Sequence, residues 1–360
     1  MLGSLRSWTT TVPLVAAVLL AFVWGTHPGA LLAVVVAIAL AGAVLAAVHH
    51  AEVVAHRVGE PFGSLVLAVA VTVIEVALIV TLMVSGGPET ATLARDTVFA
   101  AVMITTNGIL GLCLFIGAIR SGLAVFNAEG TGAALATVAT LAGLSLVLPT
   151  FTTSRQGPEF SPAQLTFAAV ISLMLYGLFV VTQTVRHRDF FLPVEITDPN
   201  ADVHAAPPSG RKALASVGLL LVALVGVVGL AKVESPSIEA GVAAVGFPRA
   251  FVGVVIALLV LLPETIAAVR AAMRNQVQIS LNLALGSAMA SIGLTIPTIA
   301  VASIWLDGPL ALGLGPTQMV LLALTLVTGV LTVVPGRATR LQGGVHLVLL
   351  AAFIFLAINP

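Results

Sequence analysis

Two glutamates, Glu75 and Glu264, sit in runs that are otherwise apolar: AVAVTVIEVALIV and VIALLVLLPETIAAVR. They are 189 residues apart. A charged side chain at the centre of a bilayer costs about 2.5–3.5 kcal/mol on insertion scales, so it normally faces a cavity or a partner. No Lys or Arg lies at matching depth, so the two carboxylates need protons, cations or both. Two carboxylates with neutral oxygens suit a hard cation such as calcium, which takes about six to eight oxygen ligands. One divalent ion or two protons would neutralise the pair, whereas two bare carboxylates in apolar surroundings are costly. Their titrations are then coupled, and any pH midpoint belongs to the pair. A second chemistry for the same residues is an intramembrane enzyme using them as acid and base. Equivalent positions in two repeats suit alternating access better than a one-sided cleft. The expectation is therefore a transporter, not an enzyme, with no resident cofactor.

The neighbours extend this set. Thr72 lies three residues before Glu75, on the same helix face. Pro263 precedes Glu264; it lacks an N–H and should free the carbonyl of Leu259 and bend the helix. The segment after each glutamate helix is polar where its surroundings are not. MITTNGILG carries Thr105, Thr106 and Asn107, and LNLALGSAMASIG carries Gly286, Ser287 and Ser291. Ser287 and Ser291 are four apart, as are Asn107 and Gly111. The candidate cation ligands are Glu75, Glu264, Asn107, Ser287, Thr72, Thr106 and Ser291, and Glu75 and Glu264 are also the candidate proton carriers. For the small polar residues, close packing between helices is the competing account.

What must position these side chains is a stack of apolar helices. The chain has 360 residues, 59% hydrophobic and 8% charged, and a mean hydropathy of +1.14. A soluble domain carries about 25% charged residues. Many uncharged stretches exceed the ~18 residues that read as a membrane span, and they are continuous rather than alternating, which excludes an outer-membrane barrel. Zero formal net charge calls for no nucleic acid. The single cysteine, Cys113, excludes an intrachain disulfide. Arg6 followed by an apolar run imitates a signal peptide, but Thr26-His27-Pro28-Gly29 reads as a turn into a second helix, so an uncleaved first helix is expected.

Eleven spans are expected, near 11–26, 30–49, 62–86, 97–120, 131–150, 163–186, 213–232, 248–272, 279–304, 315–335 and 341–358. The fold expected is an all-α integral membrane protein with one extra N-terminal helix and two inverted five-helix repeats. Residues 1–29 form the extra helix, 30–186 the first repeat, 187–212 a cytoplasmic linker and 213–360 the second repeat. Helix starts recur at an offset of about 180 residues, and an odd number of spans inverts the second set. Arg and Lys fix the orientation. Arg6, Arg57, Arg120, Arg186, Arg188, Arg211, Lys212, Arg270, Arg274, Arg337 and Arg340 fall on one side; only Arg95, Arg155, Lys232 and Arg249 fall on the other. The N-terminus and the linker are thus expected in the cytoplasm.

Three segments carry a resemblance: HAEVVAHRVGEPFGSLVLAVAVTVIEVALIV, TVRHRDFFLPVE and LLPETIAAVRAAMRNQVQISLNLALGSAMASIGLTIP. With them the chain resembles, over nearly its whole length, bacterial ChaA-type calcium/sodium–proton antiporters, in the cation/proton exchanger branch of the calcium:cation antiporter superfamily. The resemblance implies eleven transmembrane helices in a bacterial-type inner membrane and export of a cytoplasmic cation in exchange for protons. Calcium is the first expectation for the cargo, with sodium or potassium the alternative. It also implies that Glu75 and Glu264 match the paired repeat glutamates, and that Gly286-Ser287 matches the Gly-Ser of the second motif. There are departures. Val71-Thr72 and Val260-Leu261 stand where the wider family often has Gly-Asn, and Thr265 replaces a histidine. The partners implied are inorganic cations, protons and the lipid bilayer, with a homo-oligomer left open.

Other polar groups read as peripheral. His49, His50, Glu52 and His56 form a cluster at a helix end, taken as an interfacial polar cap rather than a metal or pH-sensing site. Glu60, before Pro61, reads as a helix-start acid. Asp189, Glu195, Asp198 and Asp202 read as acids of a solvated loop.

Overall fold

A computed structural model describes residues 7–26, 28–59, 62–86, 90–194, 208–305 and 308–360. Arg6, His27, Glu60, Pro61, Glu195, Asp198 and Asp202 lie outside the described residues. Eleven helices account for nearly all of the described chain: α1 (Trp8–Val23), α2 (Ala30–Val58), α3 (Phe62–Gly86), α4 (Leu93–Ser121), α5 (Ala128–Thr150), α6 (Pro162–Arg186), α7 (Gly210–Ala244), α8 (Phe251–Met273), α9 (Val277–Ala302), α10 (Pro316–Val333) and α11 (Arg340–Ile358). Nine of them are long and apolar enough to cross a membrane; α1 and the Val69–Val84 stretch of α3 are shorter apolar helices.

Most helix limits fall within a few residues of the expected spans. Two helices overrun. Helix α2 continues to Val58, through the histidine cluster. Helix α7 runs on to Ala244, past Lys232, Glu234 and Pro236. At about 1.5 Å per residue its 35 residues exceed the ~30 Å of a bilayer core, so part of it projects beyond the core or it tilts. Local chemistry sets several starts. Ser161 and Gln164 form a capping box at α6, with Pro162 at its first position. Asn127 accepts from the Gly130 N–H at the start of α5.

The helices pack around two separate apolar cores. One gathers buried residues of α4, α5, α6, α9, α10 and α11. The other joins α1, α2 and α7. Helix α8 belongs to both: Val252, Ile256 and Val260 face the smaller core, and Val254, Ala257 and Leu261 the larger. Helix α3 joins the smaller core through Val71, Ile74, Leu78 and Leu82, and the larger through Ile79. Both glutamate helices therefore lie along the seam. On the outside, Phe22, Leu31, Leu214 and Leu331 are exposed, as lipid-facing side chains are.

His50 ties the smaller core together. Pro13 lacks the N–H that would bond to the Thr9 carbonyl, so that oxygen is left over within α1. The His50 Nε2–H donates to it at 2.8 Å, and the Ser216 hydroxyl of α7 donates to Nδ1 at 3.3 Å. His50 thus bonds α1 and α7 from α2. Among the described residues no group of three or more His, Cys, Asp or Glu could hold a metal.

Short backbone pairings close the two ends. Strand β1 (Ala124–Val125), after α4, pairs antiparallel with β2 (Arg337–Ala338), before α11. At the other end Glu159, before α6, bridges Ala311, before α10. The first end gathers Arg57, Arg120, Arg186, Arg270, Arg274 and Arg340. There Ser121 donates to Asn275, and Arg340 to the Ala118 carbonyl.

Candidate ion-binding site

Glu75, Glu264, Thr72, Ser287 and Ser291 line one cavity of about 220 Å3. Helix α9 supplies its longest wall as a stripe at helical spacing: Ile279, Leu283, Gly286, Ser287, Ala290 and Ser291. Helix α3 adds Val71, Thr72 and Glu75; α8 adds Glu264; α6 closes the side with Tyr176, Phe179, Val180 and Gln183. No Lys or Arg is in the wall.

The carboxylates are incompletely satisfied. Glu75 is 3% exposed, and the Ser291 hydroxyl donates to its Oε2 at 3.0 Å. Its Oε1 has no hydrogen-bond partner, nor does the buried Oε2 of Glu264. Buried polar atoms are normally paired, so each exception calls for an explanation. Among the described residues five buried side-chain oxygens lack a partner; besides these two they belong to Thr97, Glu234 and Thr295. Thr295 lies against Glu75. Three of the five are thus gathered here. Glu75 and Glu264 are also electrostatic neighbours, and Glu52 of α2 is a further charged neighbour of Glu264 while interacting with Arg270.

Asn107 and Thr106 do not reach this cavity. Residues Ile104–Ile109 of α4 are π-helical. Threonine hydroxyls compete for the local carbonyls: Thr105 donates to Ala101 O at 2.7 Å and Thr106 to Val102 O at 2.5 Å. Asn107 instead faces α10 and α11. Its amide donates to Thr325 Oγ1 at 2.9 Å, and its oxygen accepts from His346 Nδ1–H at 3.0 Å. The network assigns the tautomer, with Thr332 donating to His346 Nε2 at 3.2 Å. All four side chains are buried, and their mutual bonding explains why Asn107 is absent from the wall. Gly111 likewise serves packing, since a Cβ there would lie 2.7 Å from His346 Cβ. Leu259 is not in the wall either, although Pro263 lies within α8 as expected.

Sequence reasoning missed Tyr176, Gln183, Asn282 and Thr295. Asn282 was legible, because stepping back along α9 from Ser287 and Ser291 reaches the same stripe. It donates to the Phe191 carbonyl at 2.7 Å, and Phe191 packs edge-on against Phe179. The α6 residues carried no signal in an apolar helix.

The family model for the sodium/calcium exchanger protein matches residues 28–185 and 215–359. The chain belongs to the sodium/calcium exchanger family. This exchanger is 47% identical over 357 residues to the protein y4hA of Sinorhizobium fredii (strain NBRC 101917 / NGR234), covering 98% of this chain and 96% of the relative. It is 36% identical to the sodium-potassium/proton antiporter ChaA of Escherichia coli (strain K12), covering 95% and 93%. Its fold is similar to a crystal structure of the H+/Ca2+ exchanger CAX, at a TM-score of 0.72 and 16% identity, covering 96% and 86%. The exchanger is accordingly an all-helical, multi-pass membrane protein of the calcium:cation antiporter superfamily. It belongs to a family of transporters, which removes the acid/base enzyme reading.

Proposed function

We propose that this exchanger carries a cytoplasmic cation outward against protons by alternating access, with Glu75 and Glu264 as ligands shared by both. One observation carries the reading: two carboxylates from different helices open on one cavity, each with an oxygen left unpartnered, and no basic side chain neutralises them. An empty pair is costly in apolar surroundings, so the site crosses when loaded with cation or protons and seldom when bare. Thr72, Ser287 and Ser291 supply neutral oxygens. Calcium leads as cargo because one divalent ion balances both carboxylates. Sodium or potassium is the second reading, favoured by the name of the 36% identical relative, a sodium-potassium/proton antiporter.

The repeats at 30–186 and 213–360 are part of this proposal, and the end pairings support them. Exchanging the repeats maps the β1–β2 pairing onto the Glu159–Ala311 bridge. The excess of Arg and Lys on one side supports a cytoplasmic N-terminus and a cytoplasmic linker at 187–212. The cavity runs from Glu75 to Gln183, near the end of α6, and Ile279, near the start of α9. That is the Arg-rich end. On the far side of Glu75, Leu78, Ile79 and Leu82 are buried. This arrangement supports an inward-facing state.

The test is proton-coupled Ca2+, Na+ and K+ flux in proteoliposomes. Glu75→Gln and Glu264→Gln should each reduce flux to the level of protein-free liposomes. Normal transport by either variant overturns the site assignment.

A further inference from the structure

Helix α9 continues beyond the cavity wall to a second hydroxyl beside Glu75. Thr295 is fully buried and its Oγ1 has no hydrogen-bond partner. A helical threonine normally rests its hydroxyl on the carbonyl four residues back. Thr298 does so on Leu294, Thr265 on Leu261 and Thr325 on Leu321. Thr295 does not, because α9 is interrupted at Leu294, between Gly293 and Thr295. Pro297 adds to the break by removing the N–H that would bond to the Gly293 carbonyl. The freed hydroxyl lies against the Glu75 carboxyl, whose Oε1 is itself unpartnered.

Ser291 and Thr295 are four residues apart and flank one carboxyl. Ser291 is in the cavity wall and holds Oε2. Thr295 is outside that wall, one turn further along α9, with the buried Ile296 and Ile299 close to it on the same helix. Beside Glu75, within electrostatic reach of the carboxyl but without a bond of hydrogen-bond length, the Thr295 hydroxyl is placed to take that carboxyl after a small displacement.

We propose that Thr295 is a positioning residue for the opposite-facing state, receiving the Glu75 carboxyl from Ser291 when the cavity closes and the far side opens. The same glutamate then has one hydroxyl for each face. Cation or proton binding from the cytoplasm uses the Ser291 position, and exchange with the outside uses the Thr295 position. This rests on the proposed antiport by Glu75.

The experiment compares right-side-out and everted membrane vesicles, with Ca2+ and Na+ each presented to one face at a time. Thr295→Val keeps the side chain's shape and removes the hydroxyl. It should raise the half-saturating cation concentration at the outer face about tenfold relative to the inner face, the scale of one hydrogen bond to a charged group. Ser291→Ala should shift the ratio the other way, and Thr295→Ser should restore it. An equal change at both faces in Thr295→Val, or failure of Thr295→Ser to restore the ratio, overturns the inference. If Thr295→Val does not fold, Thr295→Ala removes the same hydroxyl, and its outer-to-inner ratio carries the decision. Glu75→Gln separates the two levels: normal flux there removes the antiport reading itself, whereas loss of flux with a symmetric Thr295→Val removes only the role of Thr295.

Discussion

Glu75 is held by one hydroxyl and left open at its other oxygen. A carboxylate that must release both a proton and a cation cannot be saturated with protein donors, because each donor would favour one charge state permanently. This has a consequence for pH. Protons and cation compete for the same oxygens, so a higher proton concentration on the loading face weakens cation binding. At fixed pH on the far side, the half-saturating cation concentration should fall as the loading face is made more alkaline, then level off once protons no longer compete. A cation-binding curve independent of pH over the whole active range would contradict shared ligands. The two glutamates, Thr72, Ser287 and Ser291 were legible in the sequence, because charge in an apolar run and spacing of four are local signals. Thr295 was not. Its meaning comes from a hydroxyl that is not bonded to its own helix, and a threonine in an apolar segment looks the same either way.

At the scale of elements, the helices were readable because hydropathy and length bear directly on crossing a bilayer. Helix α7 was misjudged at its far end, where Lys232, Glu234 and Pro236 resemble a terminus yet the helix continues. The candidate ligands on α4 lie outside the cavity for another reason. The polar segment after the first glutamate helix pointed to Asn107, but nothing local to it foretells that His346, on the last helix, bonds Asn107. The π-helical turn and the His346, Thr325 and Thr332 side chains therefore form a structural knot between α4, α10 and α11. The glycines beside it permit the approach: a Cβ on Gly343 would lie 2.6 Å from the Phe115 nitrogen. Replacing His346 with Ala leaves Asn107 and Thr332 buried and short of a partner, at about 1–3 kcal/mol. Thermal unfolding in detergent should show a lowered midpoint for His346→Ala and Gly343→Ala. The protein that remains folded should keep its half-saturating cation concentration and its preference among cations. A changed preference without loss of stability would place the knot in the ion path.

For the whole molecule, the position of α3 and α8 matters most. Each has one flank in the core of α1, α2 and α7 and another in the larger core. Under the proposed alternating access, a displacement of one core against the other passes along this seam, where the glutamates lie. A second, smaller cavity of about 40 Å3 sits on the far side of the seam, lined by Leu82, Thr92, Asp96, Glu239 and Val252 among others. Leu82 is seven residues beyond Glu75 on α3, about 10 Å of helix rise. The buried Leu78 and Ile79 lie between. Under the proposed inward-facing reading, the closed side has a short run of buried apolar side chains with a polar recess beyond it, and opening is expected where α3 meets α8. Thiol labelling can follow this, because the single native cysteine, Cys113, is buried. A cysteine at Gln183 or Asn282 should react from the cytoplasmic face in cation-free protein, and a cysteine at Leu82 should be protected. Conditions that drive the site outward, alkaline outside with cation loaded inside, should slow labelling at Gln183 and expose Leu82 to reagent from outside. Because both changes come from one displacement along the seam, their rates must move in opposite directions. Parallel changes at the two positions would mean that the cavities open independently and that the seam is not the moving surface.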